Sequence, residues 1–166
     1  ARRLLARGNS VIVLGRNRAA LTALRDIGAM TVEADLSAPA PNLASGIEDI
    51  DAVVHCAALS APWGRRADFL SANLTGTQTA LDLARTLGAR RFVNIGSPSI
   101  YFTLADQEAV TEDAPLPPPF TPYAETKAMA EALVLRQADL GPISLRPRGI
   151  YGAGDTALVP RLTAAM

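Results

Sequence analysis

The chain has 166 residues, of which 49% are hydrophobic and 19% charged, and its 16 basic residues balance its 16 acidic ones. This is an ordinary composition for one globular domain, and the balanced charge argues against nucleic acid or an anionic membrane as a partner. No apolar run is long enough to cross a bilayer and no signal-peptide core is visible, so the cytoplasm is the expected compartment. One cysteine excludes an internal disulfide.

Short apolar strands alternate with helical segments along the whole chain. In order, we predict a helix at residues 1–7, a strand at 11–14, a helix at 19–27, a strand at 30–34, a short helix at 43–50, a strand at 52–55, a helix at 66–87, a strand at 91–95, a helix at 123–138, a strand at 143–145 and a helix at 161–166. This alternation indicates βα units and a parallel sheet, and so an α/β fold of the doubly wound, Rossmann-like type.

Both ends of the chain interrupt an element. The helix at 1–7 has no preceding strand on which to pack, and the helix at 161–166 stops in mid-course. We therefore expect a fragment that is truncated at both ends.

The segment Tyr123-Ala124-Glu125-Thr126-Lys127 carries the clearest chemical pattern. Residues four apart share one face of a helix, so Lys127 lies one turn from Tyr123. Lys127 is also the only lysine, because the other 15 of the 16 basic residues are arginine. An ammonium beside a tyrosine favours the phenolate, which makes a tyrosine usable as a general acid or base near neutral pH. The alternative is a surface helix that carries both residues by chance.

Polar and small residues follow the predicted strands, at the edge where parallel sheets bind ligands. Together these clusters resemble the extended short-chain dehydrogenase/reductase superfamily, which includes NAD(P)-dependent epimerases, dehydratases and 3β-hydroxysteroid-dehydrogenase-like enzymes. The resemblance covers nearly the whole chain. Its segments, in the family's order, are Asp35-Leu36, residues 55–58 (HCAA), residues 73–77 (NLTGT), residues 96–101 (GSPSIY), residues 123–127 (YAETK) and residues 146–152 (RPRGIYG).

One family segment has no counterpart in this sequence. The family begins with a strand and a glycine-rich turn that seats the cofactor pyrophosphate on a helix N-terminus. The resemblance therefore implies that residues 1–166 are a partial NAD(P)-binding Rossmann domain, with the start of the substrate-binding region after about residue 150.

The resemblance assigns three catalytic residues. It implies that Tyr123 is the acid/base, that Lys127 holds the nicotinamide ribose hydroxyls, and that Ser97 hydrogen-bonds the substrate oxygen. A hydroxyl donor at that oxygen would stabilise developing charge. Ser97 also precedes Pro98, and a Gly-Ser-Pro sequence is ordinary turn chemistry, which is the alternative interpretation.

The resemblance also implies a set of cofactor-binding residues. An arginine at position 16 suits the 2′-phosphate of NADP, with Arg18 as a helper, although a solvated turn arginine is the alternative. Asp35 either lies beside the adenine with Leu36 or caps a loop, and Asn73 is expected to support the site rather than react. The full predicted set is Arg16, Asp35, Leu36, Ala57, Ala58, Asn73, Tyr123, Lys127, Pro147 and Ile150.

The reaction implied is hydride transfer at a hydroxyl or keto carbon, with a small-molecule substrate. Sugar dehydratases of the superfamily carry an acid pair directly after the Ser/Thr, whereas this chain has Pro98 and Ser99 there, so dehydration is disfavoured. A nucleotide-sugar epimerase and a non-catalytic nucleotide-binding member remain alternatives, and a homodimer of the full-length protein stays open. One histidine and one cysteine cannot build a zinc centre, so no metal is expected.

Overall fold

The computed structural model describes residues 1–38, 47, 49–61, 63–152, 155 and 158–164. Its strands are β1 (Ile12–Gly15), β2 (Met30–Glu33), β3 (Ala52–His55), β4 (Arg91–Ile95) and β5 (Pro142–Leu145). Its α-helices are α1 (Arg2–Leu5), α2 (Arg18–Arg25), α3 (Arg66–Phe69), α4 (Gly76–Thr86), α5 (Pro122–Leu135) and α6 (Leu158–Ala164). In these ranges no helix has the length and apolar composition that a bilayer crossing requires.

The strands form two parallel ladders. β1 pairs with β2, with Ile12 opposite Met30. β4 lies between β3 and β5, with Phe92 opposite both Val53 and Pro142. Parallel strands joined through helices confirm the predicted α/β class, and β3 and β4 have the predicted bounds. The predicted helix at 43–50 falls mostly outside the described residues.

Helices α4 and α5 cover one face of the three-stranded ladder. Their apolar side chains pack with Phe92 of β4 in a buried core; the fully or nearly buried members are Leu81, Ala84, Phe92, Val134 and Leu140. The opposite face of the ladder leaves Val54, Ile143 and Leu145 exposed. The core therefore fixes α5, the helix with the Tyr-x-x-x-Lys pattern, directly beside β4.

The helix predicted over residues 66–87 contains a change of helical type. α3 and α4 are joined by a π-helical segment, Leu70–Thr75, in which hydrogen bonds span five residues instead of four. Phe69 and Leu81 are buried as predicted, while Leu74 and Leu83 are only partly buried. The extra residue in this turn coincides with a completely buried amide, Asn73.

Candidate active site

Helix α5 starts at the carboxyl end of the three-stranded ladder. Thr121 is its N-cap and accepts a 3.1 Å hydrogen bond from the backbone N–H of Ala124. Pro122 occupies the first turn, where its missing N–H has no cost. Local sequence thus places Tyr123 in the first turn of the helix and Lys127 one turn further on.

The ammonium of Lys127 is buried against β4. Its Nζ donates a 2.6 Å hydrogen bond to the backbone carbonyl of Ile95, and the residue is only 5% exposed. An ammonium has three N–H donors, and the described residues supply a partner for one of them. Burial lowers the pKa of Lys127, and the nearby Glu131 carboxylate opposes part of that shift.

Tyr123 is partly buried at the same corner. Its ring packs edge-on against Phe69, with centroids 6.5 Å apart and an interplanar angle of 61°. Arg66 in α3 forms a two-pronged contact with Glu125, at 2.6 and 2.8 Å, that holds α3 against the first turn of α5. Helix α3 thus packs on the Tyr123 ring through Phe69 and is held to the same turn of α5 through Arg66.

Ser97 follows β4 and caps a 3₁₀ turn, Pro98–Tyr101. Its Oγ accepts from the backbone N–H of Ser99 at 3.3 Å and lies 2.8 Å from Ser99 Oγ. Helix α5 packs on this turn. Ser97, Tyr123 and Lys127 thus lie on adjoining elements at one sheet corner, although no hydrogen bond between them is described; Lys127 bonds the Ile95 carbonyl rather than the Tyr123 phenol.

Asn73 connects the loop after β3 to α5. Its Oδ1 accepts from the Leu59 N–H at 2.7 Å, and its Nδ2 donates to the Leu59 carbonyl at 3.2 Å and to Thr126 Oγ1 at 3.0 Å. The amide is thus fully used by protein partners. The supporting role at the site that the resemblance implies for Asn73 stays a prediction.

His55 lies behind the site and is neutral. Its Nε2 is 3.0 Å from Thr77 Oγ1, and that hydroxyl donates its proton to the Asn73 carbonyl at 2.6 Å. His55 Nε2 must therefore carry the proton in this contact. Burial, with a smaller effect from the Lys127 charge, lowers the pKa of His55 to about 4.

The predicted adenosine-side residues lie at the end of the two-stranded ladder. Arg16 Nη1 is 3.3 Å from Asp35 Oδ2, and both side chains are exposed. Asp35 Oδ1 also accepts from the N–H and hydroxyl of Ser37, at 2.8 and 2.6 Å, and these bonds lower the Asp35 pKa. Asp35 therefore does cap the loop, which was the alternative interpretation, while it also holds Arg16.

Two predicted contributors on this side have structural partners. Arg18 donates through Nε to both carboxylate oxygens of Glu33, at 2.7 and 2.8 Å, so it is engaged away from Arg16. Leu36 packs against the main core, and a Cβ added to Gly76 of α4 would lie 3.5 Å from the Leu36 Cβ. Leu36 thus contributes to packing between the two parts of the fold.

The remaining predicted cofactor residues are exposed. Ala57 and Ala58 lie in the loop after β3, and Pro147 and Ile150 follow β5. A cleft of about 220 Å³ runs between the residues after β1 to β3 and the start of the long helix; it is lined by Arg16, Ser37, Leu59, Asp68, Ser71 and Ala72. The segments that follow β1, β2 and β3, which were predicted to face a ligand, therefore border one cleft.

A buried acid near the site is not marked by any family segment used above. Glu131 lies one turn after Lys127 and is paired with Arg146, which follows β5. The sequence does contain a signal for this acid. Glu131 comes four positions after Lys127, on a helix face whose other members, Ala124, Ala130 and Val134, are apolar. Such a carboxylate must find a buried partner.

These features define a Rossmann-like α/β protein in which Ser97, Tyr123 and Lys127 lie at one corner of the sheet. Residues 1–166 match the NAD dependent epimerase/dehydratase family, and the chain belongs to this family. A ketoreductase for 4-hydroxy-2-methyl-3-oxo-4-farnesyl-3,4-dihydroquinoline-1-oxide from Stigmatella aurantiaca is 36% identical over 166 residues, which are 98% of this chain and 49% of that protein. A 2-alkyl-3-oxoalkanoate reductase from Stenotrophomonas maltophilia is 35% identical over 97% of this chain and 49% of its own length.

The fold has close counterparts among solved structures. A double mutant of DesIV, a dTDP-glucose 4,6-dehydratase from Streptomyces venezuelae with NAD and DAU bound, superposes with a TM-score of 0.78 at 28% identity. The match covers 98% of this chain and 57% of that one. The chain therefore has the Rossmann-like fold of its family and spans about half the length of the curated relatives that it matches.

Proposed function

We propose that this chain is the nicotinamide-binding part of an NADP-dependent oxidoreductase that moves hydride at a hydroxyl or keto carbon. The observation that carries the proposal is Lys127, a buried ammonium fixed to the Ile95 carbonyl, with two N–H donors left over in the described part of the chain. An ammonium that is costly to bury and incompletely bonded indicates a ligand with oxygen acceptors.

The residues at this corner suit a nicotinamide cofactor. The free donors of Lys127 would bind the ribose hydroxyls, and the small, exposed Ala57 and Ala58 would let the cofactor approach the backbone after β3. The adenosine end of the cofactor would lie near Arg16 and Asp35. Arg16 lines the 220 Å³ cleft, and Asp35 accepts a hydrogen bond from Ser37, which also lines it. A bound nicotinamide supplies or accepts the hydride.

The chain's own residues would handle the substrate oxygen. In the direction of reduction, Tyr123 donates a proton to the oxygen as the carbon receives hydride, and in oxidation it removes that proton. Ser97 would donate a hydrogen bond to the same oxygen, and Ser99 Oγ, 2.8 Å from Ser97 Oγ, would then donate to Ser97.

We propose NADP rather than NAD because of Arg16. Its side chain is 68% exposed, and its contact with Asp35 is a single exposed ion pair of 3.3 Å. Such a pair contributes at most about 1 kcal/mol, so the guanidinium can turn to a 2′-phosphate at small cost. No acidic residue precedes it at the end of β1, where Gly15 stands.

The substrate we propose carries a keto or hydroxyl group two carbons from a carboxylate. One similar protein is named for 2-alkyl-3-oxoalkanoates, and a sterol-4-alpha-carboxylate 3-dehydrogenase from yeast is 37% identical over 116 residues. Both names place the reacting carbon β to a carboxylate. This chain spans about half of the first of these proteins and a third of the second, so the pocket for the rest of the substrate is a proposal for the intact protein.

A nucleotide-sugar epimerase is the second candidate, favoured by the family match. It would use the same three residues but would keep its cofactor throughout the cycle. Purified intact protein distinguishes the two: cofactor that is retained through gel filtration favours the epimerase, and cofactor that exchanges freely favours the reductase. Pro98 and Ser99 after Ser97 provide no acid/base pair for dehydration.

The proposal is tested by Tyr123→Phe in the intact protein, assayed with NADP⁺ and a 2-alkyl-3-hydroxyalkanoic acid. We expect kcat to fall at least about a hundredfold, since acid/base catalysis contributes that much or more, while NADPH affinity changes little. Thr86→Val is the control, because it removes a hydroxyl near the C-terminal end of α4, away from the corner. Near-full turnover by Tyr123→Phe would refute the role of Tyr123.

A further inference from the structure

The most deeply buried ion pair in the described residues joins α5 to the end of β5. Arg146 reaches both carboxylate oxygens of Glu131, through Nε at 3.0 and 3.1 Å and through Nη2 at 2.5 Å. The side chains are 6% exposed for Glu131 and 18% for Arg146. A two-pronged pair fixes the direction of both groups as well as their distance.

The carboxylate is satisfied from β5 as well. Ser144 Oγ donates to Glu131 Oε2 at 2.7 Å and accepts from Asn94 Nδ2 at 3.1 Å. Burial alone would raise the pKa of Glu131, but the bonds from Arg146 and Ser144 outweigh it and hold the pKa below its ordinary value. Glu131 is thus ionised and ties α5 to β4 and β5.

The free side of the Arg146 guanidinium holds a loop. Nη1 donates to Tyr101 OH at 2.7 Å and to the Glu112 carbonyl at 3.2 Å, and the Tyr101 OH donates to the same carbonyl at 2.8 Å. The guanidinium also lies 5.1 Å from the centre of the Tyr101 ring. Tyr101 and Glu112 are the two ends of the segment 102–111, so one cation fastens both ends of this loop.

This loop borders a second pocket, which is larger than the cleft beside Arg16. The pocket has a volume of about 710 Å³, and its lining includes Ser99, Phe102, Leu104, Val110 and Arg146. Ser99 is the residue whose hydroxyl contacts Ser97. The pocket therefore opens beside the proposed substrate-oxygen donor, and its far wall is the loop that Arg146 holds.

We propose that Glu131 and Arg146 are positioning residues that hold the 102–111 loop against α5, and so set the substrate pocket at a fixed distance from Tyr123 and Lys127. That this pocket takes the substrate rests on the proposed function. The mechanical link, by which Glu131 and Arg146 hold the 102–111 loop, does not depend on it. Glu131 lies four residues after Lys127 on the same helix, so the loop and the catalytic side chains share one rigid support.

The consequence for catalysis is specific. Loosening the loop should weaken substrate binding, because the pocket wall would no longer be preorganised. The proton donor and the ammonium would keep their places, since Tyr123 is held by Phe69 and Lys127 by Ile95. A merely structural role would instead lower the stability and, through the smaller folded fraction, the apparent kcat, while KM stayed unchanged.

Tyr101→Phe is the sharpest variant, because it removes only the hydroxyl between Arg146 and the Glu112 carbonyl and leaves the buried pair intact. Arg146→Lys keeps the positive charge but loses the two-pronged contact with Glu131. Arg85→Lys is the matched control: Arg85 makes a comparable Nε contact of 2.8 Å to Asp139 on an exposed surface away from the pocket. All are made in the intact protein.

Amide hydrogen exchange over residues 102–112 is measured first, without substrate. We expect exchange to quicken about tenfold in Tyr101→Phe and more in Arg146→Lys, with no change in Arg85→Lys, because a lost bond to a charged group is worth about that factor. Unchanged exchange in both variants would overturn the mechanical link, whether or not the wild-type protein turns over any substrate.

Steady-state kinetics with NADP⁺ and a 2-alkyl-3-hydroxyalkanoic acid give the second readout. We expect Tyr101→Phe to raise KM for the acid about tenfold while kcat and the affinity for NADPH stay within about twofold. A fall in kcat at unchanged KM would overturn the positioning role. If wild-type protein lacks this activity, the proposed function fails on that result, and the exchange measurement still decides whether the pair holds the loop.

Discussion

The side-chain amide of Asn73 donates to Thr126 Oγ1 over 3.0 Å, and this contact joins the π-helical segment to the helix that carries Tyr123 and Lys127. Thr126 in turn donates to the Pro122 carbonyl in the first turn of α5, at 2.8 Å. The irregular turn of one helix is thus bonded to the start of another. We infer that the π segment exists because it places this amide between the two.

Asn73→Ala should be strongly destabilising. It removes three hydrogen bonds and leaves the Leu59 N–H and carbonyl without their partners, so we expect the free energy of unfolding to fall by about 3 kcal/mol. Urea unfolding followed by circular dichroism measures it. Gln78→Ala, which removes one exposed bond to Asp82 in α4, should cost less than about 0.5 kcal/mol. Equal effects of the two changes would contradict this account of the amide.

The stability of the protein should depend on pH through His55. Its pKa is about 4 when folded and about 6.5 when unfolded, so between these values the unfolded chain binds a proton that the folded protein does not. The contribution of His55 to the free energy of unfolding should therefore be at its maximum above pH 6.5. It should decrease as the pH drops toward 4, by at most about 3 kcal/mol in all.

Two measurements check the His55 prediction. His55 is the only histidine in the chain, so its imidazole Hε1 gives one assignable proton NMR signal, which should titrate near pH 4. In His55→Gln, the pH dependence of the unfolding free energy between 4.5 and 6.5 should become flatter than in the wild-type protein, whatever the overall stability of the variant. A titration midpoint near 6.5 would show that the ring is accessible to water.

Gly96→Ala should disturb the acid that lies above it. An added Cβ would lie 2.8 Å from Glu131 Oε2, 3.0 Å from Ser144 Oγ and 3.2 Å from the Leu145 carbonyl, and none of these atoms can move freely. We expect a loss of about 2 kcal/mol in thermal or urea unfolding. Gly15→Ala is the control at the end of β1, where the nearest atom is 4.0 Å away, and it should be neutral or slightly stabilising.

Arg16→Ala should change the choice of cofactor. Removing a charged donor from a 2′-phosphate should weaken NADPH binding by about tenfold to a hundredfold, while NADH, which lacks that phosphate, should change by less than about threefold. Fluorescence titration of the intact protein with each cofactor measures this ratio. Arg136→Ala, at the exposed C-terminal end of α5, serves as the control and should leave both affinities unchanged. A wild-type preference for NADH would refute the NADP proposal.

The regular parts of the fold follow closely from local sequence. The apolar runs at residues 52–55 and 91–95 match β3 and β4, and the Thr121-Pro122 cap makes α5 begin within one residue of the prediction. Strand and cap signals are local, so one sequence suffices to find them. The π segment was not predictable, because its apolar spacing is that of any amphipathic helix and the partners of its Asn73 amide, Leu59 and Thr126, are distant in sequence.

The side chains of the candidate site could be predicted from the sequence, but their hydrogen-bond and ion-pair partners could not. The Tyr-x-x-x-Lys spacing identified the helix, yet the acceptor for Lys127 is a backbone carbonyl, which has no sequence signature. Arg18 pairs with Glu33 because parallel pairing places Glu33 opposite Gly15, and Arg146 meets Glu131 because β5 lies beside β4. Such partners depend on strand register, which a single sequence does not specify.

Because Lys127 is the only lysine, its ammonium is a ready-made chemical reporter. Reductive methylation with isotope-labelled formaldehyde would modify two amines in this chain, the N-terminal group and Lys127 Nζ. The second should react slowly, because Nζ is buried against the Ile95 carbonyl and must break that bond to reach the reagent. The reaction rate at this one nitrogen therefore reports how often the Lys127 side chain leaves the Ile95 carbonyl.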